Sequence, residues 1–490
     1  MKKIKLYTLA AMAATCLATS SCTKEFEELN TNPNATEAAT PSALLAPALH
    51  DVVTRNNNRA LRLTNELMQV HVTILDTDEI HRYVIRPGES DYMWNNWYLQ
   101  RTNFVNIYKS AQATQQKSYM GIGLILDAWV TSLITDTYGD VPYTEANQGR
   151  DGRLQPKFDS QELIYKDLFA KLEEANALLA SLEAAATDLP LMLPEDEQRL
   201  DPLYNGNLTL WRKLGNSLYL RLLMRVSGRP EVDAAGKIRE IVETNTSFYP
   251  IFESNEESAI LRYTTTQPLT SAFADLREYD FNGSHGLSEF FVNNLNEMED
   301  PRLTKWATKY GSGYSGMSSG YVPGNIPERQ SYYPKALMNE PLLGNILNYG
   351  EVQFILAEAA LRGYISSDPK TYYDKGVAGA ITMWGLEVPA GHLEKEAVAW
   401  NNAADFEAKL DKIMLQKYYT LFFTDFQQWF EYRRTGHPVL PIGPGVQNGG
   451  VMPSRFRYPI TVQSLNGANY SAAVAAMGGD DINTKVWWDQ

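Results

Sequence analysis

Cysteine is nearly missing: the 490 residues contain two, Cys16 and Cys22, both close to the N-terminus. If the chain is cut before Cys22, one thiol remains at the new terminus, with no partner for an internal disulfide. Histidine is scarce too, with six residues scattered along the chain and none at a metal-ligand spacing. Neither a His-Glu-x-x-His zinc signature nor a Gly-x-x-x-x-Gly-Lys phosphate loop is present, so no metal and no cofactor are expected. Basic residues number 44 against 58 acidic ones, a net charge of -14, and losing Lys2, Lys3 and Lys5 with a leader would deepen the deficit. So acidic a chain is a poor partner for nucleic acid or an anionic membrane surface. Long apolar runs are lacking as well. The run at 6–17 falls short of the roughly 20 residues a spanning helix needs, and no later segment is expected to reach that length.

What is present begins with the N-terminus. Lys2, Lys3 and Lys5 form a basic start, the apolar stretch follows, and Thr19-Ser20-Ser21 places small residues before Cys22. That is the layout of a removable export signal, and it resembles the signal of bacterial lipoproteins, in which the cysteine is acylated and becomes residue one. Thr19 departs from the Leu that many such signals carry. An ordinary secretory peptide with an incidental cysteine is the alternative. Thr23-Lys24-Glu25-Phe26-Glu27-Glu28 resembles the Lys-then-acid tag that sends Bacteroidota lipoproteins to the outer face of the outer membrane, although a solvated charge run would look the same. The division that follows is a signal peptide at 1–21, a lipidated tether at 22–41 and a folded body at 42–490, with lipidation at Cys22.

The body reads as mostly helical. Tyr165, Leu168, Leu172, Ala175 and Leu179 fall on one face of a helix, with Asp159 and Glu162 spaced as a capping box before it. A second helix is predicted from about Asn207, with Trp211, Leu214, Leu218 and Leu222 on one side. A third is predicted over 351–362 with Gly363 as its stop, a fourth over 406–423, and 121–137 is helical in pattern. Short hairpin material is expected at 260–265. No clean period of about 34 residues is found. Two stretches break the helical regime: 76–91, and 278–341, where glycines alternate with Tyr310, Tyr314 and Tyr321. Long irregular stretches inside a folded body are usually functional or disordered.

Ile134-Thr135-Asp136-Thr137-Tyr138-Gly139-Asp140-Val141-Pro142-Tyr143 resembles a signature of the SusD/RagB family of nutrient-binding lipoproteins. Further blocks fit in order: Phe26 to Asn34, Asp201 to Arg225 with Trp211 and Asn216-Ser217-Leu218, Glu351 to Gly363, and Gln416-Lys417. Arg433-Arg434-Thr435-Gly436, Arg457-Tyr458-Pro459 and Asn466 to Tyr470 complete the set. The resemblance implies a mostly α SusD-like fold of tetratricopeptide-like helix pairs with a long irregular ligand-facing region. It also implies a SusC-type TonB-dependent transporter as partner, over which the lipoprotein sits as a lid, and an oligosaccharide or, in other members, a peptide as ligand.

The motif residues themselves read as architecture. Asp136 and Asp140 suit turn capping better than cation binding, and Arg433-Arg434 suit buried carboxylates or helix-end carbonyls better than an anionic ligand. Ligand contact is expected from loop aromatics, because sugar C–H faces lie flat on Tyr and Trp rings. Tyr83, Tyr92 and Trp94 are the candidates from the first irregular region, and Tyr279, Phe281, Tyr314 and Tyr321 those from the second. Each could equally pack in the core; Trp94, Trp97 and Tyr98 sit at helical spacing, and Trp487 and Trp488 read as packing residues. No enzymatic activity is expected. A surface adhesin and a glycan-degrading enzyme with two facing carboxylates are the rival readings, and a neutral or amine-bearing glycan is the preferred ligand, with peptide as the alternative.

Overall fold

The computed structural model describes residues 39–490; the signal peptide, Cys22 and nearly all of the tether lie outside the described residues. From Pro41 to Gln490 the chain packs as one compact unit. Several helix starts follow a side chain that accepts from a free N–H of the first turn. Helix α1 runs Pro41–Arg59. Helix α2, Pro87–Ala113, opens on a proline, which lacks the N–H that a first position would leave unpaired. Helix α3, Lys117–Tyr138, stops at Gly139, whose φ of 84° suits glycine. The Ser160 side chain caps α4, Gln161–Ala185, by accepting from the Leu163 N–H. The expected capping box is therefore off by one residue: the Asp159 carboxylate instead accepts from the Thr144 N–H and hydroxyl at 2.7 and 2.8 Å.

Asn207 caps α5, Leu208–Arg225, as its spacing suggests. Farther along come α6, Glu289–Glu297, α7, Tyr349–Leu361, and α8, Pro369–Thr382. Helices α9, Phe406–Thr420, α10, Gln427–Thr435, and α11, Gly467–Met477, follow. Consecutive helices pack as pairs, α2 on α3, α3 on α4 and α7 on α8, with α1 along α2 and α9 against α7. The short connections at 114–116 and 362–368 make α2–α3 and α7–α8 antiparallel pairs, the helical counterpart of a hairpin. The fold is thus mostly α with helix pairs, as the resemblance implies.

Glycine lets α3 sit deep between its neighbours. A β-carbon at Gly123 would lie 2.9 Å from the Tyr108 backbone nitrogen, and one at Gly121 2.9 Å from Leu179 Cγ. Residues 121–138 are buried on every side. Here the structure corrects an expectation: Lys117–Tyr138 is long and apolar enough, by composition, to cross a membrane, yet it is a core helix. A helix apolar all round needs an apolar surround, and α2, α4 and α5 supply it.

Strands are short and come in two-stranded ribbons. Strand β1, His71–Thr73, pairs antiparallel with β5, His285–Leu287; β2, Val141–Pro142, with β3, Phe158–Asp159; and β4, Ala259–Ile260, with β6, Asn345–Leu347. The predicted local hairpin at 260–265 is therefore replaced by a long-range pairing, which buries Ile260 and Leu261 beside residues 344–347. The long stretch 278–341 is less irregular than its glycines suggest, since α6 and a short helix at Leu303–Trp306 lie within it.

The recurrent motifs hold the core through charge. Arg434 donates to both oxygens of Glu358 at 2.6 Å and to Glu431 at 2.7 Å. Burial alone would raise the Glu431 carboxyl, but Arg434, Lys417 and Arg225 hold it well below the usual range. Asp136 accepts from Tyr165, Arg225 and Trp488 at 2.6, 2.9 and 2.8 Å, and Arg433 reaches the Asp136 carbonyl at 2.6 Å. Asp140 accepts from the Gln161 N–H at 2.9 Å. Both aspartates and both arginines thus act as fasteners between helix ends. Between α5 and α7, Arg221 donates from Nε and Nη2 to the two Glu351 oxygens at 2.7 and 2.6 Å, in full burial.

Candidate ligand-binding surface

The irregular segments converge on one face and brace one another there. Ribbon β1–β5 is its base, with His71 opposite Leu287 and Thr73 opposite His285. The Gly320 N–H donates to His81 Nδ1 at 3.1 Å and the Gly324 N–H to Asp76 at 2.8 Å, tying the 316–324 loop to the 76–83 turn. The C-terminal loop joins them through Gly445 N–H to the Gly320 carbonyl at 2.7 Å and Gln447 N–H to the Arg82 carbonyl at 2.9 Å. At Gly443 and Gly445 a β-carbon would collide with the backbone of residues 319–322. Glycine is what lets these loops pack as a solid layer.

The seven candidate aromatics meet different fates in this layer. Tyr83, at φ 65°, turns its ring into the core, and burial pushes its phenol up to about 12. Phe281 is fully buried against Phe273 and Tyr333. Tyr321 is buried as well: its ring tilts on His81 at 4.6 Å and its hydroxyl donates to the Thr73 carbonyl at 3.0 Å. Loop sequence had suggested exposure for these three, but the loops fold over them and no ring face is left open. Tyr92 and Trp94 are on α2, not in an irregular region, because Pro87 starts the helix early. Tyr92 is half-buried with the Arg59 guanidinium 4.1 Å from its ring centre. Trp94 is 8% exposed, edge-on to Tyr138 at 5.0 Å, at the floor of a cleft of about 300 Å³ that Tyr98, Leu154, Pro156 and Leu465 also line. Tyr314 is half-buried. Tyr279 stands apart, 62% exposed.

Around Tyr279 the structure assembles polar and aromatic groups that the sequence did not single out as contacts. Its ring lies over Gly283, where any β-carbon would strike it. Arg329 donates to the His285 and Asn282 carbonyls at 2.7 and 2.6 Å, and its guanidinium sits 3.7 Å from the centre of the Tyr332 ring. Burial lowers the Arg329 pKa, with the Tyr332 and Tyr279 phenols pulling the other way. Tyr332 is fixed by exchange with Thr308, whose N–H donates to its carbonyl and whose hydroxyl accepts from its N–H, at 2.8 and 3.0 Å. Tyr310, 40% exposed, donates to Glu328 at 2.8 Å. The available signal for Arg329 and Tyr332 was a cation three residues from an aromatic pair in a loop, which is weak without the fold.

Other depressions are built differently. A cavity of about 470 Å³ between α2, α3 and α4 is lined by Arg101, Asp127 and Lys171, but Asp127 binds both cations at 2.8 and 2.6 Å, so its charges are spent internally. One of about 560 Å³ near Lys395 and Lys412 offers charged groups and no aromatic ring. Residues 316–320 read Gly-Met-Ser-Ser-Gly, the spacing of a serine nucleophile elbow. An elbow requires a sharp strand-to-helix turn, whereas this stretch is loop on both sides of Ser318.

Among the described residues, one cluster can hold a metal. Glu66, His71 and His285, far apart in sequence, bring one ligand atom each to within 4.8 Å of one another. Burial pushes the Glu66 carboxyl well above its ordinary range, the His71 imidazole well below its own, and His285 down to about 4.

Comparison with known proteins accords with this architecture. Residues 33–459 match a SusD-like family described as starch-binding and associating with the outer membrane. No curated protein matches the chain. Among solved structures, a SusD homologue from Bacteroides fragilis shares 22% identity over 92% of this chain and 99% of its own, with a TM-score of 0.76. A chitin-binding SusD homologue from Flavobacterium johnsoniae shares 21% over 92% and 98%, at 0.79. A further chitin-binding protein shares 25% over 92% and 100%, at 0.76.

Proposed function

This chain belongs to the SusD-like family of outer-membrane-associating starch-binding proteins, and from that premise we propose that it captures an oligosaccharide at the cell surface and delivers it to a SusC-type TonB-dependent transporter. Lipid on Cys22 holds it to the outer face of the outer membrane. The observation that carries the ligand assignment is the exposed Tyr279 ring, seated over Gly283 beside the stacked Arg329–Tyr332 pair. An open ring face suits the C–H face of a pyranose, and a guanidinium beside it donates to hydroxyls in a fixed fork. The protein binds without turnover; of the two carboxylates flanking Tyr279, Asp280 is held by Arg277 at 2.6 and 2.7 Å and Glu278 pairs with Lys335 at 3.3 Å. Two chitin-binding structural relatives favour a glycan with amide or amine substituents, and peptide is the alternative within the same architecture.

Uptake by cells lacking the protein tests this reading against an adhesin. Transport of the cognate oligosaccharide is expected to fall when that sugar is scarce and to recover when it is abundant, because a capture protein matters below saturation. Uptake that is equal to wild type at every concentration, with loss of surface adhesion instead, would overturn it.

A further inference from the structure

We propose that Glu66, His71 and His285 form a binding site for one transition-metal dication of the zinc type. Both Glu66 oxygens and His71 Nε2 are buried without a hydrogen-bond partner, and Glu66 and His71 are 1% and 0% exposed. The Glu66 Oε1 atom faces His71 Nε2 at 3.8 Å and His285 Nε2 at 3.9 Å, too far for a hydrogen bond to either. Three ligand-capable atoms thus lie together, all within 4.8 Å of one another.

The spacing fits an ion between them. Zinc holds nitrogen and oxygen ligands at about 2.0–2.1 Å in a tetrahedron, which sets neighbouring donors roughly 3.4 Å apart. The present edges of 3.8 and 3.9 Å need only a small contraction. Two imidazoles and one carboxylate select zinc, cobalt, nickel or copper over calcium and magnesium, which prefer all-oxygen shells. The outer shell is in place too: His71 Nδ1 meets the Tyr333 hydroxyl at 2.8 Å, and when Nδ1 donates to it, Nε2 keeps its lone pair toward Glu66. His285 Nδ1 has Ser284 Oγ at 3.3 Å. His285 is the partly open member of the trio, so entry and a fourth ligand from water come from its side.

The ligands come from three segments: Glu66 from the short helix Asn65–Leu67 that continues beyond α1, His71 from β1, and His285 from β5. A bound ion would clamp the ribbon beneath the Tyr279 turn to the helical body, a structural role independent of which nutrient is bound. Sequence could not show it, because the ribbon register alone brings His71 and His285 together.

The test uses untagged, leader-free protein, stripped with chelator and titrated with Zn²⁺ by calorimetry and with Co²⁺ by visible absorption. One ion per chain, a tetrahedral Co²⁺ spectrum and a raised melting temperature are expected for wild type. Glu66→Gln and His285→Gln, with folding checked by circular dichroism, should bind roughly 100-fold more weakly or worse, since even outer-shell changes weaken metal binding about 10- to 100-fold. If buried Glu66→Gln fails to fold, partly open His285→Gln carries the comparison. His437, whose imidazole contacts Asp411 and Glu407 at 2.8 and 3.2 Å, is the competing surface site; His437→Ala should leave binding unchanged. No stoichiometric binding by wild type, equal binding by His285→Gln, or loss of binding in His437→Ala would each overturn the proposal.

Discussion

Replacing Cys22 with alanine is expected to move the protein wholly from the membrane fraction to the soluble fraction. Each methylene that enters the bilayer contributes about 0.8 kcal/mol, and stable anchoring needs more than a single acyl chain, so under the proposed anchor the attachment energy would reside in the acylated Cys22. The body offers no substitute. Among the described residues only α3 is long and apolar enough to span, and it is enclosed by other helices. A net charge of -14 also disfavours contact with anionic lipid. Because Cys22 precedes the compact unit that starts at Pro41, the released protein should melt at the temperature of the leader-free wild type. Fractionation of cells expressing each form reads the outcome directly. Tight membrane association of Cys22→Ala would remove the lipid anchor from the account.

Arg221→Met is expected to be the most damaging single change in the body, by about 3–5 kcal/mol. It would leave the Glu351 side chain, 1% exposed, without its two-pronged partner, and would strip the Ile346 carbonyl of its 2.7 Å donor. The second half of the prediction separates pairing from packing. Buried ion pairs contribute little net stability over apolar replacements of similar volume, whereas half a pair is strongly destabilising. Adding Glu351→Leu to Arg221→Met should therefore restore most of the loss. Urea denaturation of the two variants measures it. A double variant no more stable than the single would show that the pair is irreplaceable in shape, contrary to this reading.

The helices were legible because their signals are local. Tyr165, Leu168, Leu172, Ala175 and Leu179 are all buried along α4, and the Asn207 cap and the Gly363 stop fall where spacing puts them. The ordered motif blocks were legible too, and the structure gives their physical reason: Asp136, Arg225, Arg433, Arg434 and Glu358 bind one another across helices far apart in sequence. The loop layer was not legible, because its outcome depends on which loop covers which ring. Tyr279 and Phe281 lie two residues apart in one π turn, yet one faces solvent and the other is sealed by Phe273. Tyr321 looked like a loop-tip aromatic until the 76–83 turn closed over it. A strand register such as His71 opposite Leu287 is set by tertiary packing, and nothing in the local pattern announces it.

Binding of the purified, leader-free protein to a panel of oligosaccharides and peptide digests tests the central claim most directly, with wild type compared against Tyr279→Ala and Tyr332→Ala. Saturable binding to one glycan class is expected, weakened about tenfold, or ~1.4 kcal/mol, by loss of either ring, with melting temperatures unchanged. Binding to peptides alone, or glycan binding that neither substitution alters, would contradict it.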